Sequence, residues 1–326
     1  MGLVDQFNKI NTSIGDSASY FRVEKVPDFP FAKIGVDPAG QAVLLIDYQQ
    51  NERPIKRNFR LKYIELSHIR NYKVVESGQI LTGNFILVLF RSRDAKLQAY
   101  FFSILETFLE SLALTPVAEQ SSCYENMIEI FRALNEDALS TVQGLWGELF
   151  VILHSKNPTA MISFWHSSPR ELFDFNDGQE KLEVKSSKKS LRIHSFSSDQ
   201  LSLEIGMRII IASLFVIENE SGESISSLTE RMKIKVRDRP ELIQKLMSVI
   251  AKTLGSSIEE SITRKFDFSI ANQSLRFYDG ADVGKIDRAD IPSRVSDVHF
   301  QSDLTNLIPI AFGHITNSAS LHAQLN

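Results

Sequence analysis

Between Ile209 and Ile217 the chain reads Ile-Ile-Ile-Ala-Ser-Leu-Phe-Val-Ile, and this run constrains the fold more than any other stretch. It has about half the residues a membrane helix needs. Its length and β-branched content predict a buried central strand over 207–217 rather than a helix. The patterns around it alternate in type. Helices are expected at about 121–134 and 137–154, and short strands at 171–176, 181–187 and 190–196. A helix follows from Pro240 to about Leu254, with Asp238 or Arg239 near its cap and Gly255 just past its end. Strands return at 264–270 and 274–278. This order predicts an α/β (α+β) domain: a mixed sheet flanked by helices.

A smaller β-rich domain precedes it. Ala42 to Tyr48, after the turn Asp37-Pro38-Ala39-Gly40, and Phe85 to Phe90, after Thr82-Gly83-Asn84, read as strands bounded by breakers. From Lys96 to Leu112 the period becomes helical, with Leu97, Phe101, Ile104, Phe108 and Leu112 on one stripe, until Thr115-Pro116 ends it. The boundary is therefore placed near 114–122, giving domains 1–115 and 120–326. Residues 1 to about 18 and the tail from about 315 are polar and expected to be irregular.

Several function classes drop out. The 326 residues carry a formal net charge of -4, so nucleic-acid affinity must come from a local basic face or a partner. Cys123 stands alone, which excludes an internal disulfide and cysteine-rich zinc modules. The start, Met1-Gly2-Leu3-Val4-Asp5-Gln6, resembles neither a signal peptide nor a myristoylation motif. A cytoplasmic protein without a membrane span is expected. Walker-type loops, Gly-x-Gly-x-x-Gly, Gly-x-Ser-x-Gly and His-Glu-x-x-His are all missing from the sequence.

The chemistry-bearing segment is 172–186. Asn176-Asp177-Gly178-Gln179 is a hairpin turn, since Gly and Asx residues accept positive φ. In the second strand, Lys181, Glu183 and Lys185 point one way while Leu182 and Val184 point the other; Asp174 faces away from Phe173 and Phe175. The hairpin thus brings Asp174 beside Glu183, with Lys185 about 6.6 Å along the strand. Two carboxylates can hold a hard cation such as magnesium. The cation polarises a phosphoryl oxygen and supplies hydroxide, and a lysine beside it orients water and balances charge. The plain alternative is a solvated hairpin face with a weak ion pair.

The series Gly144-Leu145-Trp146-Gly147-Glu148-Leu149, Trp165, Phe173-Asp174-Phe175, Leu182-Glu183-Val184-Lys185-Ser186-Ser187, His194 and Gln200-Leu201 resembles a family of PD-(D/E)XK nucleases from prokaryotic restriction and phage-defence gene clusters. The likeness is sharp over 140–202 and looser elsewhere; Phe173 stands where that motif has Pro. The resemblance implies a restriction-endonuclease-like fold, with Asp174, Glu183 and Lys185 as the core motif and Glu148 as a helix-borne metal ligand. Local pattern supports Glu148: Leu139, Val142, Leu149 and Leu153 form an apolar stripe, and Gly144 and Gly147 would let the helix approach the sheet. The alternative is a kinked helix with an exposed glutamate.

Gln200 completes a capping box with Ser197; it either only caps, or also points at the scissile phosphate or its water. Lys181, Lys188, Lys189, Arg192 and His194 form a local basic face for phosphates, with a rim position as the other reading of His194. A second basic run, Arg231, Lys233, Lys235, Arg237 and Arg239, alternates with Met232, Ile234 and Val236 as in a strand with one basic face, or a charge-protected edge.

The leading expectation is a magnesium-dependent endonuclease acting on DNA, with manganese as a substitute. It would be one subunit of a defence assembly with a methyltransferase, helicase or ATPase, and a homodimer is compatible with it. The alternatives are a catalytically silent nuclease-fold module that binds DNA or scaffolds a complex, and an RNase on the same fold.

Overall fold

The computed structural model describes residues 2–12, 20–48, 55, 57–202, 207–311 and 320–325. The chain divides into two compact units, Met1–Glu136 and Asp137–Asn326.

The first unit begins with α1 (Leu3–Thr12), where an irregular segment was expected; residues 13–18 lie outside the described residues. Six strands follow: β1 (Phe21–Val26), β2 (Phe29–Val36), β3 (Ala42–Asp47), β4 (Phe59–Arg60), β5 (Ile64–Glu76) and β6 (Gln79–Phe90). They pair in the order β1-β2-β3-β6-β5-β4, and β1 also pairs with β5 in parallel, so the sheet curls back on itself. Closing it buries Phe21, Val23, Val43, Leu45, Val74, Phe85 and Leu87 in one cluster. Thr82-Gly83-Asn84 does not break the chain as expected. β6 runs through it, and the turn lies earlier, at Ser77-Gly78, where φ is 49° and 80° as a two-residue hairpin requires.

Two helices complete this unit, α2 (Ala95–Leu114) and α3 (Ser121–Ala133). Asp94 caps α2 by accepting from Leu97 N at 2.8 Å, and the five expected stripe residues are buried along it. α3 packs on α2, so the divide falls at Glu136, later than the expected 114–122, and this helix belongs to the first unit.

The second unit contains α4 (Val142–His154), α5 (Pro158–Phe164), β7 (Phe175–Asn176), β8 (Glu180–Ser187), β9 (Ile193–Ser197), α6 (Ser198–Leu201) and β10 (Arg208–Phe215). It continues through β11 (Glu218–Ser224), α7 (Ile225–Lys235), α8 (Pro240–Leu254), α9 (Ile258–Ser261), β12 (Lys265–Phe266), α10 (Phe268–Ser274), β13 (Arg276–Asp279), β14 (His299–Asp303) and α11 (Leu321–Gln324). The main sheet is mixed, in the order β13-β10-β8-β7: β8 and β10 run parallel, and the outer pairings are antiparallel. The apolar run does form an inner strand, with Ile209 through Leu214 buried. β9 pairs with β14 and β11 with β12 as separate two-stranded sheets.

Two local readings fail for the same reason. Arg231–Lys235 is helical, because Ile225, Leu228, Thr229 and Met232 make a buried i, i+3, i+4, i+7 stripe behind a capping box at Ser224 and Ser227. The expected strand over 264–270 shrinks to β12, because the Asp267 carboxylate accepts from Ile270 N at 2.9 Å and starts α10. In both places a capped helix outcompetes a local alternation. The tail holds α11 at 321–324, while 312–319 lies outside the described residues. No described helix is long and apolar enough to cross a membrane.

Candidate active site

α4 is buried almost all round, from Leu145 through Leu153. Thr141 starts it by accepting from Gly144 N at 3.0 Å. A Cβ on Gly147 would lie 3.5 Å from Val184 Cγ1 and 3.7 Å from Ser186 Cβ, so this face of the helix rests on β8. The contact is ordinary van der Waals packing, and it sets Glu148 against the sheet, 6 % exposed.

Pro158 opens α5 under the Asn157 cap, and the chain then runs antiparallel to the approach to β7: Trp165 bridges Phe175, and His166 N donates to the Asp174 carbonyl at 2.9 Å. These two backbone contacts place His166 beside Asp174. Trp165 Nε1 and His166 Nε2 both meet Glu148 Oε2, at 2.8 and 3.0 Å.

The expected turn forms. Asn176 Oδ1 accepts from Gly178 N at 2.8 Å, Asp177 Oδ1 accepts from Gln179 N and Glu180 N at 2.9 and 2.7 Å, and Gly178 takes φ 98°. The remaining acid groups of this turn face α11: Asp177 Oδ2 and Glu180 Oε2 accept from Leu321 N and His322 N at 2.7 and 2.8 Å. Phe175 pairs with Leu182 in register. Asp174, just ahead of β7, accepts from Val184 N through Oδ2 at 2.7 Å.

Glu183 is buried, and its Oε1 accepts from Lys185 Nζ at 2.8 Å and Gln200 Nε2 at 2.7 Å. Gln200 forms the expected cap: Ser197 Oγ accepts from its backbone N at 3.2 Å, and its Oε1 accepts from Ser197 N at 3.2 Å and also from Lys185 Nζ at 3.3 Å. Beneath the lysine lies the buried Phe196 ring, 5.0 Å from Nζ.

Burial holds Asp174 well above the ordinary carboxylate range, and the negative charges of Glu183 and Glu148 add to it against the Val184 N–H and Lys185. Burial also raises Glu183, opposed first by Lys185. One ligand atom each from Glu148, His166 and Asp174 lie within 4.8 Å of one another. Glu183 is not among these three, but its Oε2 is buried with no hydrogen-bond partner. An anionic oxygen in that state costs several kcal/mol (~2–3) unless a cation or donor meets it. The carboxylates thus fit a divalent cation by donor chemistry and by charge.

The expected phosphate face is largely turned inward. Arg192 Nη1 donates to Ser213 O and Oγ at 2.7 and 2.9 Å, Nη2 donates to Ser274 O, and the guanidinium lies 4.7 Å from the Phe215 ring. His194 Nε2 meets Ser213 Oγ at 2.7 Å, and Lys181 Nζ donates to Asn176 Oδ1. All three are buried, because carbonyls and rings inside the unit satisfy them, so none of them reaches a phosphate outside. Lys188 and Lys189 stay exposed. Four of the five cations of the second basic run are paired locally, as Arg231–Glu223, Lys233–Glu230, Arg237–Asp238 and Arg239–Glu241.

His166 is the site residue that sequence reasoning missed. Its neighbour Trp165 belongs to the resemblance, yet no spacing rule links 166 to 148 or 174. Only the backbone pairing after α5 brings them together.

A strand hairpin bearing an aspartate, a glutamate and a lysine, with a helix carboxylate behind it, is the PD-(D/E)XK class of site. The family model described as "Putative PD-(D/E)XK family member, (DUF4420)" matches residues 8–305, and the chain belongs to that family. The superfamily is one of nucleases, which are hydrolases and usually use divalent metals. Neither the curated proteins nor the solved structures give a match to this chain.

Proposed function

We propose that this protein is a metal-dependent endonuclease that hydrolyses DNA phosphodiester bonds, with the mixed sheet of the second unit acting as a restriction-endonuclease-like platform. The observation that carries this reading is the grouping of Glu148 and Glu183 about Asp174, with Lys185 on Glu183 and the Glu183 Oε2 oxygen left without a partner. Asp174, Glu148 and Glu183 would hold the cation. A divalent cation such as magnesium supplies Lewis-acid polarisation of the phosphate and a water of lowered pKa.

The protein's own groups do the rest. Lys185, fixed by its bonds to Glu183 and Gln200 and by the Phe196 ring, keeps one further N–H that would meet the attacking water or the negative charge developing on the phosphate. Gln200 holds Glu183 and Lys185 in one geometry through opposite ends of its amide. The low exposure of this group limits competition from bulk water. Lys189, with Lys188 once it leaves its 3.5 Å pair with Glu218, is exposed near the end of β8 and would take the backbone phosphates.

A net charge of -4 and the inward turn of Lys181, Arg192 and His194 favour a subunit whose DNA affinity comes mostly from partners in a restriction or phage-defence complex. The test is cleavage of supercoiled plasmid with magnesium or manganese. Wild type should nick or linearise it, and Asp174→Ala and Lys185→Ala should each lower the rate at least about 100-fold. Wild-type cutting that both variants keep would overturn the site assignment. Failure of wild type to bind magnesium or manganese in calorimetry would leave the silent scaffold as the better reading.

A further inference from the structure

We propose that Trp165, aided by His166, is a positioning residue for the metal centre: two N–H groups clamp one oxygen of Glu148 and leave the other for the cation. The proposal rests on the nuclease reading above and adds to it the device that aims the helix carboxylate.

Glu148 is buried, so most of the water that would solvate its charge is gone. Two donors stand in for that water, and both meet the same atom. Trp165 Nε1 donates to Oε2 at 2.8 Å, and His166 Nε2 lies 3.0 Å from it. An indole nitrogen can only donate. A carboxylate oxygen accepts, so His166 carries a proton on Nε2. Its other ring nitrogen points away from Glu148, and His166 acts on a cation through the carboxylate. A carboxylate oxygen has two lone-pair directions, and the two N–H groups fill those of Oε2. Among the described residues none donates to Oε1. Glu148 therefore offers a cation one oxygen, Oε1, rather than two.

The clamp is itself held. Trp165 bridges Phe175, the residue after Asp174, and His166 N donates to the Asp174 carbonyl. From α8, Lys245 Nζ donates to the Ser163 carbonyl at 2.9 Å and Lys252 Nζ to the Ser167 carbonyl at 3.0 Å, so the chain is pinned just before and just after the pair. The segment that orients Glu148 is thus the one paired with the backbone at Asp174, and one set of bonds fixes two carboxylates relative to each other. Donors behind a ligating carboxylate set metal affinity by about 10–100-fold.

The test uses Mg2+ and the whole chain. There are two tryptophans, so a nitrogen-resolved NMR spectrum of the indole groups holds two N–H signals, and Trp165→Phe tells which is which. Mg2+ should move the Trp165 signal, because the cation draws charge from the carboxylate that this N–H meets. Trp146, whose Nε1 donates to the Glu223 carbonyl, should respond less. Replacing Trp165 by benzothienylalanine puts sulfur in place of the N–H and keeps the ring's size. In calorimetry this should weaken Mg2+ binding at least about tenfold, and the same replacement at Trp146 less than about twofold. A Trp165 signal that Mg2+ leaves unmoved, or equal effects of the two replacements, with Mg2+ binding lost in Asp174→Asn, would overturn the clamp and keep the metal-site reading. Wild type that binds no Mg2+, or Asp174→Asn that binds it as well as wild type, would overturn both.

Discussion

In the free protein burial, with the like charges of Glu183 and Glu148 beside it, raises the Asp174 carboxyl well above the usual range. A carboxyl whose pKa rises on folding weakens the fold increasingly as pH climbs above its unfolded value of 3.8, so the cost is present at neutral pH. Asp174→Asn keeps an oxygen for the Val184 N–H and removes the charge. It should raise the apo protein's stability by about 1 kcal/mol at pH 7, read as a higher Tm, while abolishing metal binding. A lower Tm would mean that the charge is compensated inside the fold. His194 has the opposite sign. Burial, aided by the charges of Lys185 and Arg192, lowers its pKa from 6.5 to about 4. The neutral ring fits the fold, so its stabilisation is complete above about pH 6.5 and fades as pH falls toward 4. Urea unfolding of wild type and His194→Gln over that range should show their difference shrinking by on the order of 2 kcal/mol. A pH-independent difference would show that the ring titrates as freely in the folded chain as in the unfolded one.

Among the described glycines of the first unit, Gly35 on β2 has the least room for a side chain. A Cβ on Gly35 would fall 1.8 Å from the Arg22 carbonyl oxygen of the neighbouring strand, with no side chain able to give way. Gly35→Ala should therefore cost about 3 kcal/mol in chemical denaturation. The short helix α6 makes a gentler case. Ser197→Ala removes its cap, worth about 1 kcal/mol, and loosens the Gln200 amide that joins Glu183 to Lys185; plasmid cleavage should slow several-fold while far-ultraviolet circular dichroism is unchanged. Elements with strong local signals were readable in advance: α8 spans Pro240–Leu254 as its Pro and Gly foretell, and the 174–185 hairpin follows from its turn residues and its alternation. What could not be read was decided by distant partners. Arg192, just before β9, and His194, on it, alternate as a surface basic face would, but Ser213 on β10 and the Ser274 carbonyl draw them inward and leave Leu191 and Ile193 exposed. His166 enters the site through the backbone of Asp174, a contact that no periodicity encodes.

For the molecule as a whole, the division into two units falls within an exposed stretch, Asn135 through Thr141, that contains Glu136 and Asp137. A protease selective for acidic residues should cut here first and yield two fragments near the sizes of the two units; first cleavage inside either unit would count against this division. The family match runs across both units, from residue 8 to residue 305, so the closed β-sheet of the first unit travels with the nuclease-type unit as part of the family's definition.

The turn that joins β7 to β8 is also the anchor for α11, since Asp177 and Glu180 accept the backbone N–H groups of Leu321 and His322. The two ends of that clasp are 144 positions apart along the chain. At ordinary translation speeds the hairpin leaves the ribosome roughly 7–30 s before the helix that ties it down has been made. During that interval the hairpin carrying Asp174 and Glu183 has no clasp. A phosphodiester-cutting centre would thus be fastened only after nearly all of the described polypeptide exists, a delay in time written into the order of the residues.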